Sequence, residues 1–284
     1  MLLSVEGLSV ARVMHSLSAQ YKKAFLTGGR SGLGRAFLQM LLDEGVEVWA
    51  TSRDGAALPS HPRVHPVSLD LLDLDKTRAT LTQLLQEVPD FDIVINNAGF
   101  GVFAPLESFP GEHMSGQLQV LLGGPIFVAQ AFYSQMVSRK SGGVIVNVSS
   151  LAGAFPIPLM SLYNAAKAGL SGFSRSLALE ASRHSIAVID FQPGDFKTDF
   201  NDAMVRGEHE GTFEARLWAR LEKNLAAGPS PESAAVALKH ALLSGRSQTV
   251  RVGGFFQAKL APLLARFAPD RVLNACIKCY FGIS

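Results

Sequence analysis

Seven short apolar runs, each separated from the next by loop or helix-like sequence, constrain this chain more than any other feature. The runs are Ala24–Leu26, Val46–Ala50, Val64–Val67, Ile93–Ile95, Val144–Val148, Ala187–Phe191 and Thr249–Val252. Helical periodicity marks Leu33–Leu42, Lys76–Glu87, Pro125–Val137, Tyr163–Ser182 and Pro231–Ser244. A strand that is apolar at every position has no wet face, so it must be covered on both sides. Helices between such strands allow them to pair in parallel. The expectation is an α/β fold with a doubly wound parallel sheet, whose ligands sit at the carboxyl ends of the strands. No repeat or low-complexity segment interrupts the pattern. One domain is therefore expected over residues 21–254, with an N-terminal extension (1–20) and an apolar, helical C-terminal extension of the same domain (255–284).

Composition narrows the class. Hydrophobic residues make up 48% of the 284, which is ample for a core, and 18% charged residues is too few for a disordered chain. A net charge of +2 creates no long-range field that would attract nucleic acid. Two cysteines, Cys276 and Cys279, cannot build a disulfide framework, so a reducing, cytoplasmic setting is expected. Their C-x-x-C spacing lacks the two further ligands zinc would need and the βαβ context of a redox motif. Packing in the core or at an interface is expected, and no metal. Residues 1–20 contain no signal-peptide core, and no run approaches the ~20 apolar residues of a membrane span.

Directly after the first strand, Thr27-Gly28-Gly29-Arg30-Ser31-Gly32-Leu33-Gly34 opens a helix. Glycines there let the backbone turn tightly and approach a pyrophosphate, which the N–H groups and positive dipole end of the helix would hold. This turn, with the alternating pattern, makes the sheet a Rossmann fold. The spacing Gly28-xxx-Gly32-x-Gly34 resembles that of the short-chain dehydrogenases/reductases and differs from the extended epimerase-type relatives, which would want a glycine at Ser31. Ser52-Arg53 ends the second strand, where an NAD site would place a carboxylate for the ribose 2′-hydroxyl. A basic residue suits a 2′-phosphate instead, and Arg53 with Arg30 would clamp it, so NADP is the expected cofactor. Asp54 comes one residue too late and is expected to point away. The resemblance further implies a contact to the adenine from Asp70, a cofactor contact from Leu71, and a motif at Asn96-Asn97-Ala98-Gly99 supporting sheet and cofactor. It also implies that Pro193-Gly194-Asp195-Phe196-Lys197-Thr198 lies along the nicotinamide, with Pro193, Gly194, Phe196 and Thr198 in contact.

Ser150 ends the fifth strand, and Tyr163 and Lys167 share one face of the next long helix, being four residues apart. A Tyr-xxx-Lys pair alone is weak, but the serine thirteen residues upstream resembles the family's active site in residue, spacing and order. Hydride transfer at a carbinol carbon requires a proton to leave or join its oxygen. A free tyrosine titrates near ~10, too high for a base at neutral pH. The Lys167 ammonium and a positive nicotinamide would favour its phenolate. Ser150 would donate a hydrogen bond to the substrate oxygen. Where many members carry a fourth catalytic residue, an asparagine, this chain has Leu121, although Gly123, Gly124 and Pro125 can still supply the helix kink found there. That departure sustains a rival reading, a catalytically weak NADP-binding sensor or scaffold.

The segments expected over the substrate carry Phe100, Phe103, Phe155, Ile157, Leu159, Met160, Phe196, Phe200, Met204, Phe213 and Trp218. Such a lining favours a lipophilic ketone, aldehyde or alcohol over a sugar or charged acid. The stretch Asp199–Gly228 reads as a mobile lid. Gly99-Phe100-Gly101-Val102-Phe103-Ala104-Pro105-Leu106-Glu107 looks like the hydroxysteroid and retinol dehydrogenase branch. The stretch from Phe255 to Ile283 is expected to extend the pocket, pack on a partner subunit or touch a membrane surface, in that order. A homodimer or homotetramer is expected through Met114–Val137 and Tyr163–Ser182, which form the interface in many family members.

Overall fold

A computed structural model describes residues 16–53, 58–200, 203–207, 211–265 and 267–283. Most of the N-terminal extension (residues 1–15) and Asp54 lie outside the described residues. A single turn, α1 (Leu17–Gln20), precedes β1 (Lys23–Leu26), α2 (Gly32–Asp43), β2 (Glu47–Ser52) and β3 (Val64–Ser68). Then come α3 (Leu74–Glu87), β4 (Ile93–Asn96), β5 (Val102–Phe103), α4 (Gly111–Leu118), α5 (Gly124–Arg139) and β6 (Gly143–Val148). The chain continues through α6 (Ser161–Ala181), β7 (Ile186–Pro193), β8 (Val205–Arg206), α7 (Thr212–Ala226), α8 (Pro231–Ser244) and β9 (Gln248–Val252). It ends in α9 (Ala261–Ala265) and α10 (Asp270–Phe281).

All seven expected strands are present and form one parallel sheet, in the order β3-β2-β1-β4-β6-β7-β9. The chain builds outward from β1 to β3, then returns to start β4 on β1's other side. That reversal opens a crevice beyond the carboxyl ends of β1 and β4. Alternation along the strands distributes two cores. Ala24, Leu26, Val48, Ala50, Ile93 and Ile95 face α2 and α8, meeting Phe37, Leu41, Leu238 and Leu242. Phe25, Trp49, Val94, Ile145 and Val188 face the other way, against Leu81 of α3, Phe132 of α5 and Leu177 of α6.

The helical run Gly111–Arg139 is long and apolar enough to cross a membrane, which inspection of the sequence alone did not register. Here it packs as a core helix, with Val128, Ala129, Phe132 and Met136 fully buried. Between α4 and α5 the backbone widens into a π turn, Gln119–Gly123, where the Gly124 N–H donates to the Gln119 carbonyl.

The described residues of Asp199–Gly228 include regular structure. Val205 and Arg206 form a parallel ladder with Val102 and Phe103, and α7 follows. Leu217, Trp218 and Leu221 on α7 are buried against Phe103, Met160 and Met204, so helical periodicity hidden among many charges tied this segment down.

Candidate active site

A cleft of ≈ 1820 Å³ lies at the sheet's reversal point. Its lining includes Gly28, Arg30, Ser31, Gly32, Leu33, Gly34, Arg53, Asp70 and Leu71, and beyond them Asn97, Ala98 and Gly99. It also includes Ser150, Tyr163, Lys167, Pro193, Gly194, Phe196 and Thr198. The fold thus brings the predicted catalytic and cofactor-contact positions to one cavity.

Close packing explains the glycine turn. Gly28 has φ +70°, and a Cβ there would lie 2.8 Å from the Ala98 Cα. At Gly34 a Cβ would lie 1.9 Å from the Gly28 carbonyl oxygen and 2.5 Å from Asn97 Nδ2. Ser31 caps α2 in extended conformation without a side-chain hydrogen bond, so the first-turn N–H groups keep no side-chain cap of their own. Asn97 lines the cleft and also braces the glycine turn. Its Nδ2 donates to the carbonyls of Thr27 (3.1 Å) and Gly28 (3.0 Å), bracing the turn from β4. Thr27 Oγ1 accepts from the N–H groups of Asn97 and Ala98, and Thr51 Oγ1 accepts from Gly28 N–H at 3.2 Å. The two threonines were missed, since a hydroxyl that serves a neighbouring strand has no signature along the chain.

The turn fits a dinucleotide. Cβ-free positions let the backbone approach a ligand, an uncapped helix end faces the cleft, and exposed Arg30 and Arg53 line the same cavity beside buried Ser52.

Ser150 stands at the end of β6 in extended backbone. Its Oγ accepts from Ala152 N–H at 3.0 Å and donates to the Pro193 carbonyl at 3.3 Å. Tyr163 occupies the first turn of α6 and lines the cleft with Ser150, its ring 6.0 Å from that of Phe200. Desolvation pushes the phenol up to about 12, the Ser150 hydrogen bond partly opposes this, and the negative charge of Asp195 adds to it. One turn on, Lys167 is buried, and its Nζ donates to the Val148 carbonyl at 2.7 Å. Burial lowers its ammonium to about 8, against the opposing pull of Asp190.

Asp190 is a second unforeseen member. It lies in β7, 2% exposed, accepting from the hydroxyls of Ser149 and Ser171 and from Gln192 Nε2. A charged residue inside an apolar strand was the available signal. Leu121 sits fully buried in the π turn and lines the cleft; a Cβ on Gly99 would meet its Cδ2 at 2.8 Å.

Away from the glycine turn the lining is mainly apolar, with Phe100, Phe155, Ile157, Met160, Phe200, Met204 and Leu225, and it also carries His113, Asp199 and Asn224. Phe103, Leu159 and Trp218, expected there, pack instead in the cluster behind it, and Phe213 is exposed. Leu264, Val272, Ile277 and Phe281 of the C-terminal helices also line the cavity, so this extension completes its wall. Cys276 and Cys279 are free and exposed on α10 rather than packed in the core, and both line the cleft.

The chain belongs to the short-chain dehydrogenase family, whose profile matches residues 22–209. Members are oxidoreductases that use a nicotinamide cofactor. The chain is 29% identical over 91% of its length to a 3-ketodihydrosphingosine reductase of Bacteroides thetaiotaomicron, covering 97% of that protein. It is 31% identical over 76% of its length to a galactitol 2-dehydrogenase of Agrobacterium fabrum, covering 81% of it. Among solved structures, a short-chain dehydrogenase from Streptomyces avermitilis is similar at a TM-score of 0.77 and 27% identity, over 88% of this chain and 95% of that one.

Proposed function

We propose that this chain is an NADP(H)-dependent oxidoreductase that moves hydride between nicotinamide and a lipophilic ketone, aldehyde or alcohol. Ser150 and Tyr163 handle the oxygen and its proton. The observation that carries this is that Ser150 and Tyr163 line one largely apolar cleft together, with Lys167 one helical turn on from Tyr163. When bound, the nicotinamide supplies or accepts the hydride. A phenol held near 12 stays protonated at neutral pH, so Tyr163 is ready to give its proton to a carbonyl oxygen as that oxygen gains charge. Ser150 steadies the same oxygen with a hydrogen bond. The arrangement favours carbonyl reduction.

NADP preference rests on Arg53 and Arg30 beside Ser52, in the place of a carboxylate. NADP(H) should bind at least tenfold more tightly than NAD(H), about 1.4 kcal/mol by calorimetry, and Arg53→Asp should reverse the order. Equal affinity in the unaltered protein would count against it. Of the two relatives, the 3-ketodihydrosphingosine reductase agrees with an apolar lining, and the galactitol 2-dehydrogenase does not. Comparing kcat/KM with NADPH for chain-matched lipophilic and polar carbonyls tests the substrate class; preference for sugars or α-keto acids would refute it. One observation favours a second reading, an NADP-binding sensor or scaffold: Leu121 brings no polar side chain to the π turn. Absence of NADPH oxidation across that panel, with tight NADP binding, would select it.

A further inference from the structure

A helix on the surface of a folded domain turns its apolar stripe towards the core. After β9 the stripe is turned outward. Phe256, Leu260, Leu263, Leu264 and Phe267 recur at the spacing of one helical face, through the π turn Phe256–Leu260 and α9. All five are exposed, Leu263 by 58% and Phe267 by 79%. The segment is anchored by other residues. Ala258, on the opposite side of the π turn, is buried. Gln257 Nε2 donates to the Asp195 carboxylate at 2.5 Å and meets the Tyr280 hydroxyl at 2.7 Å. That hydroxyl in turn donates to Asp195 at 3.4 Å.

The exposed stripe is also the lip of the cleft, since Phe256, Leu264 and Phe267 belong to its lining. Charge around it is one-sided. Residues 255–284 carry Lys259, Arg266, Arg271 and Lys278 against one acid, Asp270, a surplus larger than the whole chain's net charge of +2. Lys259, Arg271 and Lys278 are exposed, and among the described residues none of the three is in an ion pair. An apolar helical face set among unpaired bases suits the interface of a bilayer. There its apolar side chains reach the acyl boundary and its cations meet anionic headgroups. A second copy of the chain suits the stripe less well, because a two-fold contact through it would set like charges side by side.

We propose that this stripe docks the mouth of the cleft on an anionic lipid bilayer. The segment lies in the plane of the interface, because Phe256–Ala265 is far shorter than the ~20 residues of a membrane span. Leu260, Leu263 and Phe267 enter the acyl boundary, and Lys259 and Lys278 meet the lipid phosphates. Docked this way, the cleft opens towards the membrane, and an apolar ligand passes between bilayer and cavity without crossing water. That passage rests on the lipophilic-substrate reading above; the docking itself does not.

Co-sedimentation of the full chain with vesicles tests this, comparing phosphatidylcholine alone with phosphatidylcholine containing phosphatidylglycerol. The anionic vesicles should bind at least tenfold more tightly, as a few basic residues near the surface require, and high salt should weaken the binding. Leu260→Glu with Leu263→Glu should cut binding at least tenfold, because it removes the apolar anchor and adds repulsion. Neither leucine is among the residues lining the cleft, so NADPH affinity and the unfolding midpoint should stay as they are. Lys259→Glu with Lys278→Glu should bring the anionic vesicles down towards the neutral ones, an outcome that holds even where the leucine variant fails to fold. No binding, equal binding to both vesicles, or unchanged binding in either variant overturns the proposal. So does a lower particle mass of the leucine variant by light scattering without lipid, since a second copy would then cover the stripe. Docking as expected with no reduction of lipophilic carbonyls leaves the membrane surface standing and removes the substrate reading alone.

Discussion

Tyr163 and Lys167 sit one turn apart, and loss of water moves them in opposite directions, the phenol up to about 12 and the ammonium down to about 8. The signs follow from burial, which penalises the charged form of each group. In the proposed carbonyl reduction the phenol would keep its proton throughout the neutral range, and Lys167 would set the alkaline limb. The kcat/KM for reduction should hold below about pH 8 and fall as pH rises through that value, when the ammonium beside the phenol loses its charge. A profile flat from pH 7 to 10 would contradict this. Tyr163→Phe should cut turnover by ~100-fold or more while NADP affinity stays within a few-fold, because only the proton donor is removed. Ser150→Ala should lose ~100-fold, in line with one lost donor to a charged oxygen. Single-turnover rates and a binding titration separate the two quantities.

At the scale of elements, the turn between β1 and α2 is a packing problem solved by glycine. A Cβ at Gly34 would overlap the Gly28 carbonyl and displace the Asn97 amide that braces it. Gly34→Ala should therefore cost more than the usual helix gain from alanine and weaken NADP binding at least tenfold. Denaturant unfolding and a cofactor titration would show both, and unchanged affinity would mean the turn tolerates the shift. The glycines were legible because their spacing is local. The braces were not: Asn97, Thr27 and Thr51 belong to three strands, and only strand order makes them neighbours. Likewise α7 was obscured because its apolar residues, Leu217, Trp218 and Leu221, are outnumbered by charges that face outward.

For the whole molecule, the exposed apolar residues pose the question of assembly. Leu179 on α6 is 80% exposed, and Phe255 and Phe267 in the C-terminal extension are 77% and 79% exposed. A subunit contact would cover residues such as Leu179, and a two-fold homo-oligomer is the commonest closed arrangement. Light scattering at micromolar concentration should give at least twice the mass of one chain, and a strictly monomeric mass would count against it. The seven strands, the glycine turn and the Ser150–Tyr163–Lys167 spacing were determined by the sequence alone, since each depends on residues close along the chain. Only the tertiary structure decided that Asp195, Gln257 and Tyr280 meet in the cleft, or that α10 walls it. Those contacts join residues up to 85 positions apart, and no local period or spacing encodes a meeting that the closing of the sheet brings about.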